Sequence, residues 1–249
     1  IATWRQCPSK PGMGVSVATQ AQSIWDDLKY KHQQCPAAEA DISGFDWSVQ
    51  AWELEADVEM RIQLGNFPKK LAKAARNRFK CLSLSVFQLS NGRLIAQAKP
   101  GLMKSGSYCT SSSNSRIRCL MAKIIGSPWC IAMGDDSVEG FVPEAKEKYF
   151  KLGHDCKDYS LCGTSYEVEG TPLEGVNFCS HFLAQDKFYL TSWAKTLFKY
   201  LSSDKPEFDS LEIELNANPK WKEIRRYLSR VGLGPDKIKQ ESPWRSLDG

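Results

Sequence analysis

Three short stretches hold side chains whose types and spacing could carry chemistry. The first is Asp41-Ile42-Ser43-Gly44-Phe45-Asp46, the second is Ser105-Gly106 followed by Thr110 and Asn114, and the third is Gly134-Asp135-Asp136. Adjacent carboxylates in a tight turn between apolar runs raise each other's pKa unless a cation neutralises them. A hard ion that prefers oxygen, Mg²⁺ or Mn²⁺, suits such a pair. Taken alone, Gly134-Asp135-Asp136 reads as an ordinary surface turn, because turns select Gly and Asp. Asp41 changes that reading. It too ends an apolar-flanked strand, so neighbouring strands would bring Asp41 and Asp135 to one spot. Such carboxylates can hold two metal ions about 3.5–4 Å apart for in-line phosphoryl transfer.

The second stretch is of another kind. Gly106, Thr110 and Asn114 recur every four residues and so share one face of a predicted helix. The face is small and polar, which a solvated helix surface also explains. Ser105-Gly106 at the helix start would let backbone approach a template or substrate closely.

These residues need elements to position them. Residues 1–20 read as irregular, with turn chemistry from Pro8 to Gly14. A helix is predicted over 19–32 with Ile24, Trp25 and Leu28 inward, followed by a short strand into Asp41. Ser48 is the expected N-cap of a helix to Leu64, with Val49, Trp52, Ala56, Met60 and Leu64 on its inner stripe. A basic helix follows over 68–80, then a hairpin over 81–98 turning at Asn91-Gly92. A helix from Ser105-Gly106 to Ile125 leads to strands 129–133 and 137–141 around Gly134-Asp135-Asp136. Pro143 to Leu152 is predicted helical, and a β element surrounds Phe178 to Leu183. The remaining helices are expected over 186–203, with Phe188, Trp193, Leu197 and Leu201 inward, and over 218–231. Strands that do not simply alternate with helices indicate an α+β fold.

In combination and order, Asp41-x₄-Asp46, Ser105-Gly106-x₃-Thr110-x₃-Asn114 and Gly134-Asp135-Asp136 resemble motifs A, B and C of positive-strand RNA virus RNA-dependent RNA polymerases. The wording Trp4-Arg5-x₂-Pro8-Ser9-Lys10-Pro11-Gly12-x-Gly14 resembles the sobemovirus and polerovirus group. The resemblance implies a right-hand polymerase: a palm with a central antiparallel sheet flanked by helices, partial fingers and a helical thumb. Residues 1–36 would be partial fingers, 37–65 palm with motif A, 66–100 a fingers insertion, 101–184 palm with motifs B to E, and 185–249 thumb. Asp41, Asp135 and Asp136 would hold Mg²⁺ or Mn²⁺. Asp46 and Asn114 would read the ribose 2′-hydroxyl, which both donates and accepts, so a carboxylate and an amide suit it. Ser105, Gly106 and Thr110 would shape the nucleotide pocket. Phe178-Cys179-Ser180 resembles motif E, which grips the primer end. Lys157 stands where motif D supplies a proton to pyrophosphate, although an ordinary surface lysine explains it too. Implied partners are an RNA template and nascent strand, NTPs, a genome-linked protein primer and other viral replication proteins. The implied location is a replication complex in the host cytoplasm.

Three other readings stay open: a reverse transcriptase-like palm, a non-catalytic RNA-binding module, and a zinc site among His154, Cys156, Cys162, Cys179 and His181. Asp46, and Gly134 before Asp135-Asp136, favour ribonucleotides over the first. Intact carboxylates oppose the second. The spacing H-x-C-x₅-C fits no standard finger. The basic helix 68–80 and the cationic residues Lys222, Arg225, Arg226 and Arg230 could track RNA phosphates. Composition bounds the rest. With 42% apolar and 11% aromatic residues, the 249-residue chain is a folded globule, not a disordered segment. A net charge of +4 permits a polyanionic partner without requiring one. Nine scattered cysteines suggest a reducing setting. No apolar run approaches the ~20 residues of a membrane span. An N-terminus without Met or a signal pattern suggests a chain excised from a longer protein. No basic cluster corresponding to motif F precedes Asp41, so these residues alone are expected to be inactive or nearly so.

Overall fold

The computed structural model describes residues 9–11, 17–162, 173–185 and 187–235, and part of the sequence pattern at 1–20 lies outside them. The chain divides into two compact units, one of residues 1–15 and 27–173, the other of 16–26 and 174–249.

The first unit is built on a five-stranded sheet. Its strands are β1 (Ser9–Pro11), β2 (Ala37–Ile42), β5 (Cys130–Met133), β6 (Asp136–Gly140) and β7 (Cys156–Leu161), in the order β1-β5-β6-β2-β7. All pairings are antiparallel except that of β1 with β5. Helix α1 (Val17–Gln34) precedes β2. After β2 come α2 (Phe45–Ser48), α3 (Ala51–Leu64), α4 (Lys69–Ser83) and a small hairpin, β3 (Val86–Gln88) with β4 (Leu94–Ala96). Helix α5 (Thr110–Ile125) and α6 (Ala145–Lys151) complete the unit. Its core joins Ile42 of the sheet, Phe45, Leu54 and Val58 of α2 and α3, and Ile117 and Met121 of α5.

The second unit holds the three-stranded sheet β8 (Val176–Phe178), β9 (His181–Ala184) and β10 (Lys187–Leu190) in the order β10-β9-β8. Three helices follow, α7 (Trp193–Leu201), α8 (Phe208–Leu215) and α9 (Trp221–Arg230). They enclose Tyr200, Phe208, Leu211, Leu215, Trp221 and Leu228. Among the described residues no helix is long and apolar enough to cross a membrane.

Several sequence expectations hold. Ile24, Trp25 and Leu28 are buried on α1. The strands on either side of Gly134 form a hairpin, and Asn91-Gly92 turns another. Others need correction. Residues expected to be irregular include strand β1, which is paired through backbone and invisible to side-chain periodicity. Ser48 is not the N-cap expected: it ends the short α2, and the long helix starts at Ala51 with Gln50 as N-cap in a reciprocal capping box with Glu53. Its inner stripe is Leu54, Asp57 and Val58, whereas Trp52 and Leu64 are 39% and 82% exposed. Two buried acids, Glu53 and Asp57, disguised that face. The basic helix runs on to Ser83, which shortens the following hairpin. Strand β7 and helix α8 were not anticipated. Residues 187–190, expected to be helical, form β10, and Leu201 is 41% exposed.

Helix α3 is locked to α5 by the fully buried Asp57. Its carboxylate accepts from Arg61 Nε (3.0 Å), Arg116 Nε (2.6 Å) and Ser113 Oγ (2.7 Å). Arg61 also donates to Ser112 and Ser113 on the first turn of α5. Removing one member of a buried charged cluster leaves the others uncompensated. Asp57→Ala is therefore expected to lower stability by about 3 kcal/mol, measured by chemical denaturation, whereas a loss under about 1 kcal/mol would show the cluster to be only a surface-like ion pair.

Candidate active site

The sheet decides where the carboxylates stand. Strands β2 and β6 pair with Ala40 opposite Ser137, and the same register carried one residue further sets Asp41 beside Asp136. Met133 and Asp136 close the β5–β6 hairpin, leaving Gly134-Asp135 as its two-residue turn. Gly134 has φ +65°, the left-handed value such a turn demands at its first position, and a Cβ there would meet no atom within 4 Å. The requirement for glycine is thus conformational. The Gly134 amide donates to Ser115 Oγ of α5 (2.8 Å), which anchors the turn from below. Asp41, Asp135 and Asp136 are exposed at this end of the sheet. Burial, then the charges of Asp135 and Asp41, raise the pKa of Asp136; the Arg118 cation opposes them.

Arg118 was not anticipated as a functional residue. It is wholly buried on α5, and its Nη2 donates to Ser137 Oγ and, at 3.4 Å, to Ala40 O. It lies 4.0 Å from Glu139 and its guanidinium sits over the rings of Phe45 and Tyr149. A cation thus stands behind the residues adjoining Asp41 and Asp136. An arginine amid the apolar positions Ile117, Cys119 and Met121 was the signal available in the sequence.

A second cluster lies on the segment after β2. The chain turns at Gly44 and places Asp46 on α2. Asn114 Nδ2 donates to Asp46 Oδ1 (2.8 Å), and Ser105 Oγ donates to Asp46 Oδ2. Asn114 Oδ1 is buried and has no hydrogen-bond partner among the described residues. Thr110 plays a supporting part: its hydroxyl bonds to Lys104 O (2.9 Å) and Ser107 O (3.0 Å). Gly106 is not on the helix face expected for it. Helix α5 begins at Thr110, and Gly106 lies in the preceding loop with φ +86°.

The clustered cysteine and histidine side chains are engaged otherwise. His154 is buried between Glu53 Oε1 (2.6 Å) and Ser48 Oγ (2.8 Å). The Cys156 thiol donates to Asp158 O and the Cys162 thiol to Glu39. Burial and Glu39 raise the Cys162 thiol well above its usual range, so both cysteines stay protonated, and Cys156 is pushed up to about 11. Among the described residues no three His, Cys, Asp or Glu side chains gather to hold a metal ion as a zinc finger would. Lys157 is exposed on β7, at the register shift where Asp41 pairs with Asp158 and Ile42 with Cys156. It is the extra residue of that bulge. Phe178, Cys179 and Ser180 belong to the second unit. Cys179 and Ser180 turn the β8–β9 hairpin at φ +51° and +60°, and Ser180 O accepts from Thr191 N and Oγ1.

Known proteins resemble this chain in sequence and in fold. Residues 1–193 match the family described as viral RNA-directed RNA-polymerase. The chain is 62% identical over 245 residues to the replicase polyprotein P2AB of Southern bean mosaic virus, covering 98% of this chain and 25% of that protein. It is 39% identical over 230 residues to the protein P1-P2 of a Potato leafroll virus strain, covering 87% of this chain and 20% of that protein. The chain thus spans about a quarter of the curated relatives it matches. It superposes with a TM-score of 0.61 on the crystal structure of the RNA-dependent RNA polymerase of a human picorbirnavirus, at 14% identity, covering 92% of this chain and 47% of that one. That likeness confirms the α+β polymerase palm as the fold. The family match sets aside the reverse transcriptase reading. Because that family's model matches residues 1–193, more than half of its length, the chain belongs to the viral RNA-directed RNA polymerase family.

Proposed function

We propose that this chain is the catalytic core of an RNA-directed RNA polymerase that copies a viral RNA genome, adding NTPs to an RNA 3′-hydroxyl with release of pyrophosphate. Residues 37–65 and 101–184 serve as palm, 1–36 and 66–100 as fingers, and 185–249 as thumb. The observation that carries the reading is the Asp46–Asn114–Ser105 cluster. It offers a carboxylate already oriented by two donors, and an unsatisfied amide oxygen at Asn114. A ribose 2′-hydroxyl can donate to the half-exposed Asp46 carboxylate that Asn114 and Ser105 orient, a bond a 2′-deoxyribose cannot make.

The carboxylates fit divalent cations. Among the described residues no Lys or Arg is ion-paired with Asp41, Asp135 or Asp136, and the like charges push Asp136 upward. Nor do three His, Cys, Asp or Glu side chains close there into a ready-made cage. That openness suits Mg²⁺, which takes one or two carboxylates and completes its shell with water and substrate phosphates. Asp41 and Asp135 would be the main ligands, with Asp136 assisting. A pair of bound ions supplies charge stabilisation for the attacking hydroxyl, the phosphorus oxygens and the leaving pyrophosphate. The chain's own part is to hold the carboxylates on two paired strands and to orient the ribose. Lys157 would protonate the leaving group, and Phe178, Cys179 and Ser180 would grip the primer. A protein primer, other replication proteins and the host cytoplasm complete the proposed setting.

Primer extension by the complete protein tests this. Asp135→Asn is expected to cut NTP incorporation by at least about a hundredfold. Asp46→Ala is expected to retain synthesis but narrow the preference for NTP over dNTP by about tenfold or more. Asp135→Asn with full activity, or a wild type preferring dNTPs, would contradict the reading.

The charge cluster has a second consequence. A carboxyl whose pKa is raised by folding costs stability once ionised, so the cost is present above the folded pKa and disappears at acid pH. Asp136→Asn is therefore expected to raise the unfolding midpoint of the metal-free protein at neutral pH by about 1–2 °C, with no gain at pH values where the carboxyls are protonated. Thermal scans in chelator follow this, and a lowered midpoint at neutral pH would refute it.

A further inference from the structure

The segment between β4 and α5 has no regular structure, yet it delivers Ser105 to Asp46. Its backbone is unusual. Gly101 has φ +124° and Leu102 has φ +61°. A Cβ on Gly101 would stand 2.9 Å from Val49 O, so glycine is required there for space as well as conformation. Leucine carries a side chain and rarely adopts a left-handed φ, so Leu102 stores strain that its surroundings must offset. Backbone bonds supply part of that. Leu102 N donates to Val49 O (2.8 Å), Met103 N to Asp46 O (2.8 Å) and Gly101 N to Ser83 O (3.0 Å).

Lys104 supplies the rest. Its ammonium lies 2.7 Å from Gln97 Oε1, 2.8 Å from Gly101 O, 3.1 Å from Leu102 O and 3.5 Å from Ser83 O. Two of these oxygens are the carbonyls of the two left-handed residues. The group also sits 5.8 Å from the centre of the Phe87 ring on β3. Exposed lysines keep the ammonium in water and bury only the stem. Here the ammonium turns inward onto neutral dipoles, with no carboxylate among its contacts, and burial lowers its pKa. The three N–H donors of the ammonium match the three near acceptors, Gln97 Oε1, Gly101 O and Leu102 O. The Lys104 carbonyl is held in turn by Thr110 Oγ1. Both sides of Ser105 are thereby fixed, Met103 to the backbone of Asp46 and Lys104 to the β3–β4 side and to α5.

We propose that Lys104 is a positioning residue for nucleotide selection: its ammonium clamps the left-handed Gly101–Leu102 turn against Gln97 and Ser83, and so holds the Ser105 hydroxyl on Asp46. The inference rests on the polymerase reading above. Without the ammonium, Leu102 O loses its side-chain donor and Gly101 O keeps only Gln97 Nε2 (3.0 Å), so Leu102 relaxes and releases Ser105 from Asp46. The ribose-reading carboxylate is then misoriented, while Asp41, Asp135 and Asp136 on the sheet are untouched.

The test compares kcat/KM for an NTP and its dNTP in wild type, Lys104→Met, Lys104→Arg and Gln97→Leu of the complete protein. Lys104→Met is expected to lower the NTP-to-dNTP ratio about tenfold, chiefly through KM for the NTP. Lys104→Arg should recover part of the loss, and Gln97→Leu, which removes the amide that accepts from Lys104 and donates to Gly101 O and Lys99 O, should shift the ratio in the same direction. A merely structural lysine would reduce both substrates alike and leave the ratio within about twofold, which would overturn the proposal. Should Lys104→Met fail to accumulate as folded protein, Gln97→Leu decides alone, and an unchanged ratio there overturns it. A wild type that incorporates neither nucleotide rejects the polymerase reading itself; an active wild type with unaltered variants rejects only the role of Lys104.

Discussion

Like charges placed side by side on paired strands are the constraint from which the rest of the site follows. Strand β2 lies inside the sheet between β6 and β7 and is buried on both faces through Ala37, Ala38, Ala40 and Ile42, which fixes its pairing with β6. The sheet core therefore forces Asp41 and Asp136 together, whatever the electrostatic cost. Burial, and after it the charges of Asp135 and Asp41, raise the pKa of Asp136. Arg118 offsets part of it from behind the sheet. Its guanidinium is fully buried and is itself held by Ser137, Glu139 and the faces of two aromatic rings. A buried cation beneath a partly exposed acidic cluster sustains the arrangement without filling the coordination positions a divalent ion needs.

Helix α5 organises the remainder. Along one helix it carries Thr110 for the preceding loop, Asn114 for Asp46, Ser115 for the Gly134 amide and Arg118 for the sheet. Its first turn is tied to α3 through Asp57, Arg61 and Arg116. The Asp46 cluster and the carboxylate end of the sheet thus share one support, since the donor to Asp46 and the cation behind Asp136 stand about one turn apart on the same helix.

How much of this was legible in the sequence depended on the kind of force involved. Asp135 and Asp136 alone looked like a surface turn and stood out only when Asp41 at the end of a second strand was set beside them, and the roles of Asp46 and Asn114 came from the resemblance in motif spacing. The helix α1 core and the Asn91-Gly92 turn were written in local periodicity and turn chemistry. Polar burial was not. Glu53, Asp57 and Arg118 occupy core positions that any reading of apolar stripes assigns to solvent, so the inward face of α3 was misplaced toward Trp52 and Leu64. Strand β1 is held by backbone pairing to β5, and the bulge at Lys157 is a matter of register; neither leaves a side-chain signature. The loop from Gly101 to Lys104 was unreadable for a related reason, since its conformation is set by contacts with Val49, Asp46, Ser83 and Gln97, distant in sequence.

The central claim is that Asp41, Asp135 and Asp136 hold divalent cations at the end of paired strands. Anomalous diffraction from crystals of the complete protein with RNA, an NTP and Mn²⁺ addresses it most directly. The account predicts Mn²⁺ peaks within coordination distance of the Asp41 and Asp135 carboxylates, shared with the triphosphate. Mn²⁺ bound to the triphosphate but away from these carboxylates would contradict it.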